Sequence, residues 1–478
     1  MIATINVVGR APDHLHGLSA SGGFGAELRR RREAGGYSLA NLGRLVHVSG
    51  DLIGKIEKGQ RTASHDLIRR LDDILVAAGA LVESVHRPQP RAEDVVLTTK
   101  HAAAAIPWAR KTRRPLGQIA IETPAGQRFT GTSIPALVLP ADCKEERILL
   151  DGGSQRVRDH ARIRSGLVVA AVETNGSSRY FGLSARASRQ QELVLPRAYE
   201  LDEITLGMLW AVSNLDEGLL DSDTELDAAV AVRHLYDSAT ASAISRDDAL
   251  SLVAQMWLGS DFCARHILRH ADRLGQTPLY WTSERTGEEA SAWLLFAHKL
   301  EYLQETAARH AAGTPSIRAL HVAPDPSRSM LPERILLLLA AALMESFRIR
   351  VVVCPDPLFD DTPGFVLDPG ATAILANWVR SDDVWLVDIT DKRTTVRQFA
   401  DVIGHATAHS AIDAPEPLQR LHRLAQYLDI DWNWVTRRCR GLAGTGIARL
   451  VRPRSRLLSL AGLERACAFL GIGAAAGG

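Results

Sequence analysis

Two histidines stand at the spacing that zinc ligands use on a helix. His405 and His409, in HATAH, are one helical turn apart, so both imidazoles would lie on the same face. The metalloprotease motif with this spacing also has a glutamate after its first histidine as general base, but Ala406 stands at that position. We therefore interpret the pair as polar side chains on a helix and predict no metal site there.

A second group mixes sulfur and nitrogen ligands. Cys263, His266 and His270, in CARHILRH, fall at positions i, i+3 and i+7, so they would share one helical face. Thiolates and imidazoles both bind zinc, but a structural zinc site needs four ligands. The sequence identifies no fourth ligand, so we predict an ordinary core cysteine beside two polar histidines.

Aspartates follow two expected strands in the C-terminal half. They are Asp356, Asp360 and Asp361 in PDPLFDD, and Asp388 and Asp391 in VDITD. Ligands of α/β folds bind at the carboxyl ends of strands, where carboxylates would hold a cation or an amine, and surface loops explain these residues equally well. The phosphate-binding loop, the nucleophile elbow and the dinucleotide-binding glycine motif are absent from the sequence. We predict no catalytic residues, no metal and no cofactor, and that the protein is not an enzyme.

The size and composition of the chain fit a multidomain soluble protein. The sequence has 478 residues, of which 46% are hydrophobic, enough for several cores and roughly three domains. Its five cysteines are widely spread and form no Cys-x-x-Cys pair, which favours a reducing, cytoplasmic location. The longest apolar run, ILLLLAAALM (335–344), is too short to span a bilayer. We predict a buried helix there and no membrane partner.

The net charge of +1 is unevenly distributed. Residues 24–91 contain twelve lysines and arginines against eight aspartates and glutamates, a balance of +4, whereas the rest of the chain has 44 against 47, a balance of −3. A basic module on a nearly neutral body fits contact with a polyanion at one end. Arginine outnumbers lysine 49 to 7 throughout, so the RRRR run at 29–32 is weak evidence by itself.

Residues 24–81 show four short stretches of helical periodicity separated by turn signals. Ser38 is expected to cap the second helix, and Ser49 to cap a third helix that ends at Gly59. The second and third helices are joined by a short turn. This is the geometry in which one helix enters the major groove of DNA.

The stretch FGAELRRRREAGGYSLANLGRLVHVSGDLIGKIEKGQR (24–61) resembles the Cro/repressor-type (XRE-family) helix-turn-helix. The resemblance rests on the Ser-x-x-x-Leu start of the second helix, on Ser49 before the third, and on the Ile-x-x-Ile-Glu-x-Gly-x-Arg ending from Ile53 to Arg61. It covers residues 24–81 only. It implies that the third helix is the recognition helix of a domain that binds double-stranded DNA.

The DNA-binding residues that the resemblance implies lie on the second and third helices and just beyond them. They are Ser38, Asn41, Arg44, Ser49, Gly50, Asp51, Gly54, Lys55, Lys58, Gln60 and Arg61. Gly50 and Gly54 offer no side chain to bases, and Asp51 repels phosphate unless it accepts a hydrogen bond from cytosine N4. We therefore expect phosphate affinity to exceed sequence discrimination. Each glycine inside the helix costs about 1 kcal/mol, so we also expect a close backbone approach that compensates for this cost.

The rest of the chain changes pattern several times, which predicts several segments. We predict a flexible N-terminus at 1–22, the helix-turn-helix domain at 23–85, a linker at 86–115, a small antiparallel β domain at 116–200, a helical region at 201–312, an α/β domain at 313–412 and C-terminal helices at 413–478. Within the β segment, TNGS (174–177) indicates a hairpin. The predicted fold class is multidomain, with an all-α domain followed by β-rich, helical and α/β parts.

These observations favour a transcriptional regulator. It would bind double-stranded DNA in a sequence-specific way, form a homodimer, and sense a small-molecule effector or dimerise through its large body. Two alternatives stay open. One is an enzyme that acts on a nucleotide or another small molecule and uses the helix-turn-helix as a targeting module, and the other is a protein-interaction scaffold.

Overall fold

The structure is a computed structural model that describes most of the chain. It covers residues 24–57, 61, 63–75, 77, 81, 96–98, 117–144, 147–151, 154–163, 165–174, 177–188, 192–232, 242–245, 250–309, 315–378 and 384–473. The chain divides into two compact units, residues 1–90 and 91–478. The predicted flexible N-terminus and nearly all of the predicted linker lie outside the described residues.

The described part of the first unit contains four helices, as the sequence predicts. They are α1 (Phe24–Ala34), α2 (Leu39–Leu45), α3 (Gly50–Glu57) and α4 (His65–Ile74). Each helix contributes apolar side chains to one buried core, which includes Leu28, Leu42, Val46, Ile53, Ile56, Leu67, Ile68 and Leu71. Within each helix these residues recur at helical spacing, and burial of the resulting apolar faces holds the four helices together.

The second unit is a mixed α and β structure. Its described strands are β1 (Val96–Thr98), β2 (Gly117–Glu122), β3 (Ser133–Pro140), β4 (Asp142–Lys144), β5 (Arg147–Asp151), β6 (Leu167–Thr174), β7 (Ser177–Ser184), β8 (Glu192–Leu195), β9 (Ser242–Ser245), β10 (Leu279–Ser283), β11 (Ile317–His321), β12 (Arg350–Cys354), β13 (Phe365–Asp368), β14 (Thr372–Asn377) and β15 (Val384–Thr390). Its described helices are α5 (Gln155–His160), α6 (Glu203–Asp221), α7 (Asp223–Val232), α8 (Leu252–Arg269), α9 (Gly287–Leu295), α10 (Ala297–Arg309), α11 (Leu331–Ser346), α12 (Arg393–Ala408), α13 (Pro417–Tyr427), α14 (Trp432–Thr445) and α15 (Ala461–Gly473).

The β-rich part holds a five-stranded sheet in the order β1-β2-β3-β6-β7 and a three-stranded sheet in the order β4-β5-β8. The predicted hairpin is confirmed, because β6 and β7 pair antiparallel as far as Thr174 and Ser177. The prediction of an antiparallel domain is wrong, since β3 pairs parallel with β6 and β1 pairs parallel with β2. The chain between β3 and β6 contains β4, β5 and α5, which provides the long crossover that parallel neighbours need.

The C-terminal part is built on a seven-stranded sheet in the order β12-β11-β10-β13-β14-β15-β9. The strands β10, β11 and β12 are parallel and are connected through α9, α10 and α11, which is the predicted βα arrangement. The pairs from β10 to β13 and onward to β9 are antiparallel. The fold class predicted from the sequence is therefore confirmed.

We did not predict three strands of this sheet from the sequence. Leu279–Ser283 and Ser242–Ser245 lie within 201–312, which we predicted to be helical, and Phe365–Asp368 went unrecognised. Each has only four or five residues and pairs with strands elsewhere in the sheet. Runs this short carry no clear period of their own, so their pairing within the sheet defines them as strands.

One continuous apolar core joins the parts of the second unit. It includes side chains from β3 and β6, from α6, α8, α9 and α11, and from the C-terminal α14 and α15. The predicted boundaries at 200, 312 and 412 fall inside this unit. The apolar run at 335–344 is fully buried in α11, as expected. Within the described residues, no helix has both the length and the apolar character needed to cross a bilayer.

Candidate nucleic-acid interface

The second and third helices begin at the residues that the sequence predicts. The Ser38 side chain accepts a hydrogen bond from the Asn41 backbone N–H at 3.1 Å, and Ser49 Oγ accepts one from the Leu52 N–H at 3.1 Å. Each hydroxyl satisfies one of the backbone donors that a helix leaves unpaired at its first turn. The two caps therefore define where α2 and α3 begin, and the turn between the helices ends at Ser49.

That turn contains a residue in the left-handed backbone region. His47 has a φ of 58° and an exposed side chain. The turn is closed by the Val48 N–H, which donates to the Gly43 carbonyl at 2.8 Å. A non-glycine residue in this region costs about 1 kcal/mol or slightly more. The turn is therefore formed at the expense of local strain at His47.

Glycines allow the backbones of α2, α3 and their turn to approach closely. A Cβ on Gly43 would lie 2.6 Å from the Val48 carbonyl oxygen, and a Cβ on Gly50 would lie 2.9 Å from Ala40 Cα. The expected compensation for the helical glycines is thus confirmed for Gly50. Gly54, one of the predicted DNA-binding residues, is buried, so it does not lie at the exposed position that a DNA contact requires. Its Cβ position faces Leu39 Cδ1 at 3.4 Å.

A partly buried ion pair joins α3 to α1. Arg32 Nε donates to Glu57 Oε1 at 2.5 Å and a terminal nitrogen of Arg32 donates to Oε2 at 2.9 Å. The two side chains are 11% and 6% exposed. Arg32 also donates to the Tyr37 carbonyl at 3.0 Å. A bidentate pair with this burial sets the position of α3 relative to α1. Sequence reasoning missed it because Arg32 stands in a basic run.

The other arginines of that run pair within α1. Arg29 Nε bonds Glu33 at 2.9 Å, and Arg30 and Arg31 both bond Glu27, at 2.6 and 2.7 Å. Hydrogen bonds from Arg30 and Arg31 lower the pKa of the Glu27 carboxyl. The charge of the run is therefore largely balanced by the glutamates of its own helix. The run is thus weak evidence for contact with a polyanion, as we expected from the sequence.

Most of the predicted DNA-binding residues on α2 and α3 and at their caps are exposed to solvent. Exposed residues are Ser38, Asn41, Arg44, Ser49, Asp51 and Lys55, and Gly50 is half-buried against α2. Arg44 donates to the Asn41 side-chain oxygen. Lys55 Nζ lies 2.6 Å from Asp51 Oδ2, so the carboxylate balances the lysine on the same helix face. Arg61 is exposed, and its backbone N–H bonds the Lys55 carbonyl at 3.3 Å. Lys58 and Gln60 lie outside the described residues.

These helices, caps and exposed polar groups agree with the result of comparison with known families. Residues 24–85 match a family model described as a helix-turn-helix domain. This part of the chain is a helix-turn-helix domain. Comparison with curated proteins and comparison with solved structures give no match.

Some of the candidate ligand residues of the second unit lie together at the carboxyl ends of the parallel strands. His405 Nε2 lies 3.1 Å from Asp356 Oδ2, and the His405 and His409 rings stack at 4.3 Å. Asp360 Oδ2 lies 2.9 Å from an Arg285 nitrogen. Asp388 and Asp391 lie at the opposite end of the sheet, because β15 runs antiparallel to β14. The five aspartates therefore do not form one site.

The cysteine and histidines of α8 face different surroundings. Cys263 and His266 are buried, and His266 Nε2 lies 3.4 Å from the Asp388 carbonyl oxygen. Burial lowers the pKa of His266 to about 4. The His266 and His270 ring centroids are 4.9 Å apart. In the described part of the chain, no group of three or more His, Cys, Asp or Glu side chains is arranged to hold a metal ion.

A shallow cleft lies at the carboxyl ends of β10 and β11 and is lined by residues that include Arg285, Gly287 and Glu333. Phosphate groups of ligands usually bind such a cleft at a helix N-terminus. Here the Glu333 carboxylate accepts a hydrogen bond from the Gly287 N–H at 3.3 Å, and Glu289 accepts bonds from the Arg285 and Thr286 N–H groups at 2.6 and 3.1 Å. The start of α9 is thus occupied by carboxylates, which disfavours an anionic ligand at this position.

Proposed function

We propose that this protein is a DNA-binding transcriptional regulator of the Cro/repressor type. The observation that carries the proposal is the pair of capped helices α2 and α3, which presents a row of exposed polar side chains from Ser38 to Lys55. In the docking mode of this motif, the second helix of the pair lies in the major groove and the first crosses the backbone. Helix α3 is accordingly the recognition helix.

The side chains divide between phosphate contact and base contact. Arg44 and Asn41 on α2, and Lys55 on α3, carry donors that suit phosphate oxygens. The side chains that remain for base edges are Ser49, which caps α3, and Asp51 on α3. A carboxylate accepts a hydrogen bond from the cytosine amino group. Fewer base-reading side chains than phosphate-binding ones make binding strongly dependent on salt and only modestly dependent on sequence.

In this proposal the large second unit regulates the affinity of the protein for its operator DNA. In the proposed mechanism two copies of the chain dimerise and place two α3 helices about one helical turn of DNA apart, roughly 34 Å. A small molecule that binds one conformation of the body more tightly shifts the population toward that conformation and changes the operator affinity. This part of the proposal is supported by the size of the body, a unit of 388 residues from 91 to 478, and by the cleft at β10 and β11.

The test is binding of the full-length protein to fluorescent duplexes of its own promoter region and to random duplexes. Anisotropy is measured between 50 and 300 mM salt. The proposal expects log affinity to fall linearly with log salt, with a preference for the promoter duplex. Absence of binding to either duplex at the lowest salt would overturn the DNA-binding function. Equal binding to both duplexes would overturn the sequence-specific part alone.

A further inference from the structure

A buried lysine and a buried glutamate in the second unit contact the same tryptophan, Trp293, and form no salt bridge with each other in the described structure. Glu284 follows strand β10, and Lys299 lies in the first turn of α10. Their residues are 4% and 6% exposed. Charged side chains with this burial are rare unless they are paired, bind a metal or have a chemical role.

The Lys299 ammonium is surrounded by aromatic rings rather than by acceptors. Its Nζ lies 3.7 Å from the centroid of Trp293 and 5.7 Å from the centroid of Trp378. Within the described structure it makes no hydrogen bond. The Arg318 guanidinium carbon lies 4.9 Å from the same Trp293 ring, so a second cation stands close to the amine.

Several polar atoms around the lysine are left without partners. The Trp293 indole N–H donates to Glu284 Oε1, while Glu284 Oε2 has no hydrogen-bond partner in the described structure. Arg318 Nε and Tyr280 Oη are also buried without partners there. Buried polar groups are nearly always satisfied by protein, water or a ligand. The group of unpartnered atoms therefore points to a polar molecule that belongs beside Lys299.

The surroundings shift the pKa of each side chain in the direction of its uncharged form. Burial lowers the pKa of the Lys299 ammonium, and the nearby Arg318 lowers it further, whereas Glu284 and Cys263 oppose this effect. Burial raises the pKa of Glu284, and the neighbouring Glu289 adds to the rise. The hydroxyl of Tyr302 accepts a hydrogen bond from Arg318 at 3.4 Å. A neutral amine is the nucleophilic form of lysine, and burial next to another cation is a known way to produce it.

We propose that Lys299 is a covalent binding site for a small aldehyde or ketone, held as an imine between the Trp293 and Trp378 rings. The amine nitrogen adds to the carbonyl carbon and gives a carbinolamine. The Glu284 carboxylic acid then donates its proton to the hydroxyl, which leaves as water. The product is a protonated imine that faces the Glu284 carboxylate. No oxidant or reductant is needed, and the aromatic walls favour a planar carbonyl compound. This site is independent of the DNA-binding function.

Reductive trapping on the full-length protein tests the proposal. The protein is incubated with 4-hydroxybenzaldehyde and sodium cyanoborohydride near neutral pH, and the modified lysines are identified by peptide mass mapping. The chain has seven lysines, so each can be followed separately. Lys392, which is exposed in the same unit, is the matched control. We expect Lys299 to be modified at least tenfold faster than Lys392, and this excess to disappear in urea.

The Glu284→Gln variant tests the proton donor. An amide keeps the size of the side chain but cannot donate an acidic proton, and loss of general acid catalysis typically slows a step by about 10²–10⁴-fold. We expect modification of Lys299 to slow at least tenfold in this variant, and circular dichroism establishes that it is folded. Modification of Lys299 no faster than Lys392 in the native protein would overturn the site. An unchanged rate in Glu284→Gln would overturn the role of Glu284.

Discussion

Alanine substitutions at Gly50 and Gly54 should have opposite effects on the helix-turn-helix, although the two positions are one turn apart on α3. A Cβ at Gly50 would lie 2.9 Å from the Cα and N atoms of Ala40 and 3.0 Å from the Leu39 carbonyl carbon. These are backbone atoms of α2, which cannot move without separating the helices. Overpacking of this kind costs about 1–3 kcal/mol.

The Gly54 position has room for a methyl group. Its Cβ would have one neighbour, Leu39 Cδ1 at 3.4 Å, which is the flexible end of a side chain. Alanine in a helix interior is favoured over glycine by about 1 kcal/mol. Gly54→Ala should therefore stabilise α3 by up to about 1 kcal/mol, whereas Gly50→Ala should destabilise it by about 1–3 kcal/mol.

Hydrogen exchange of the α2 and α3 amides in the full-length protein measures this difference. Protection changes about tenfold for each 1.4 kcal/mol of opening free energy. Gly50→Ala should reduce protection and Gly54→Ala should preserve or increase it, while amides of the second unit serve as the internal control. Equal losses of protection in both variants would refute the explanation of the glycines by close approach of the two backbones.

Three further substitutions test other parts of the structure. His47→Gly should stabilise the helix-turn-helix by about 1 kcal/mol, because glycine adopts a positive φ without strain, and lower protection of α3 amides would contradict this. Glu57→Gln should destabilise the first unit by about 1–3 kcal/mol, because it removes the charge partner of the partly buried Arg32. Amide exchange rates unchanged from the native protein would show that the ion pair does not stabilise this unit. Burial lowers the pKa of His266 to about 4, so between pH 6.5 and 4 the unfolded chain binds a proton that the folded chain does not. The free energy of unfolding should therefore be about 1–2 kcal/mol lower at pH 5 than above pH 6.5. The urea unfolding midpoint of His266→Gln should therefore fall less between pH 6.5 and pH 5 than that of the native protein. An identical pH dependence in both proteins would show that His266 does not cause the loss of stability.

The sequence was sufficient for local features of the first unit. The capping serines Ser38 and Ser49 and the apolar spacing of each helix are short-range signals, so they predicted the helix starts correctly. The burial of Gly54 depends on how closely α2 approaches α3, which periodicity does not encode. The pairing of Arg32 with Glu57 spans 25 residues, and a run of arginines does not identify which one turns inward.

The body was harder to predict because its sheets depend on distant pairings. Strand β10 lies between helices in the chain and joins parallel and antiparallel neighbours in the sheet. Lys299 also escaped the sequence analysis. A signal was present, since this lysine lies within the apolar stretch SAWLLFAHKLEYL (291–303). A lysine on an expected buried face is unusual, but its proximity to Glu284 depends on how the chain folds back through α9 between β10 and α10.

The most direct test of the proposed function is the salt dependence of DNA binding in charge variants of the full-length protein. Lys55→Ala removes a proposed phosphate contact from α3, and Lys392→Ala removes an exposed lysine of the second unit as the control. We predict that Lys55→Ala weakens binding to all duplexes and reduces the slope of log affinity against log salt by about 0.9, while Lys392→Ala changes neither. An unchanged slope in Lys55→Ala, or the same reduction in both variants, would contradict DNA binding through α3.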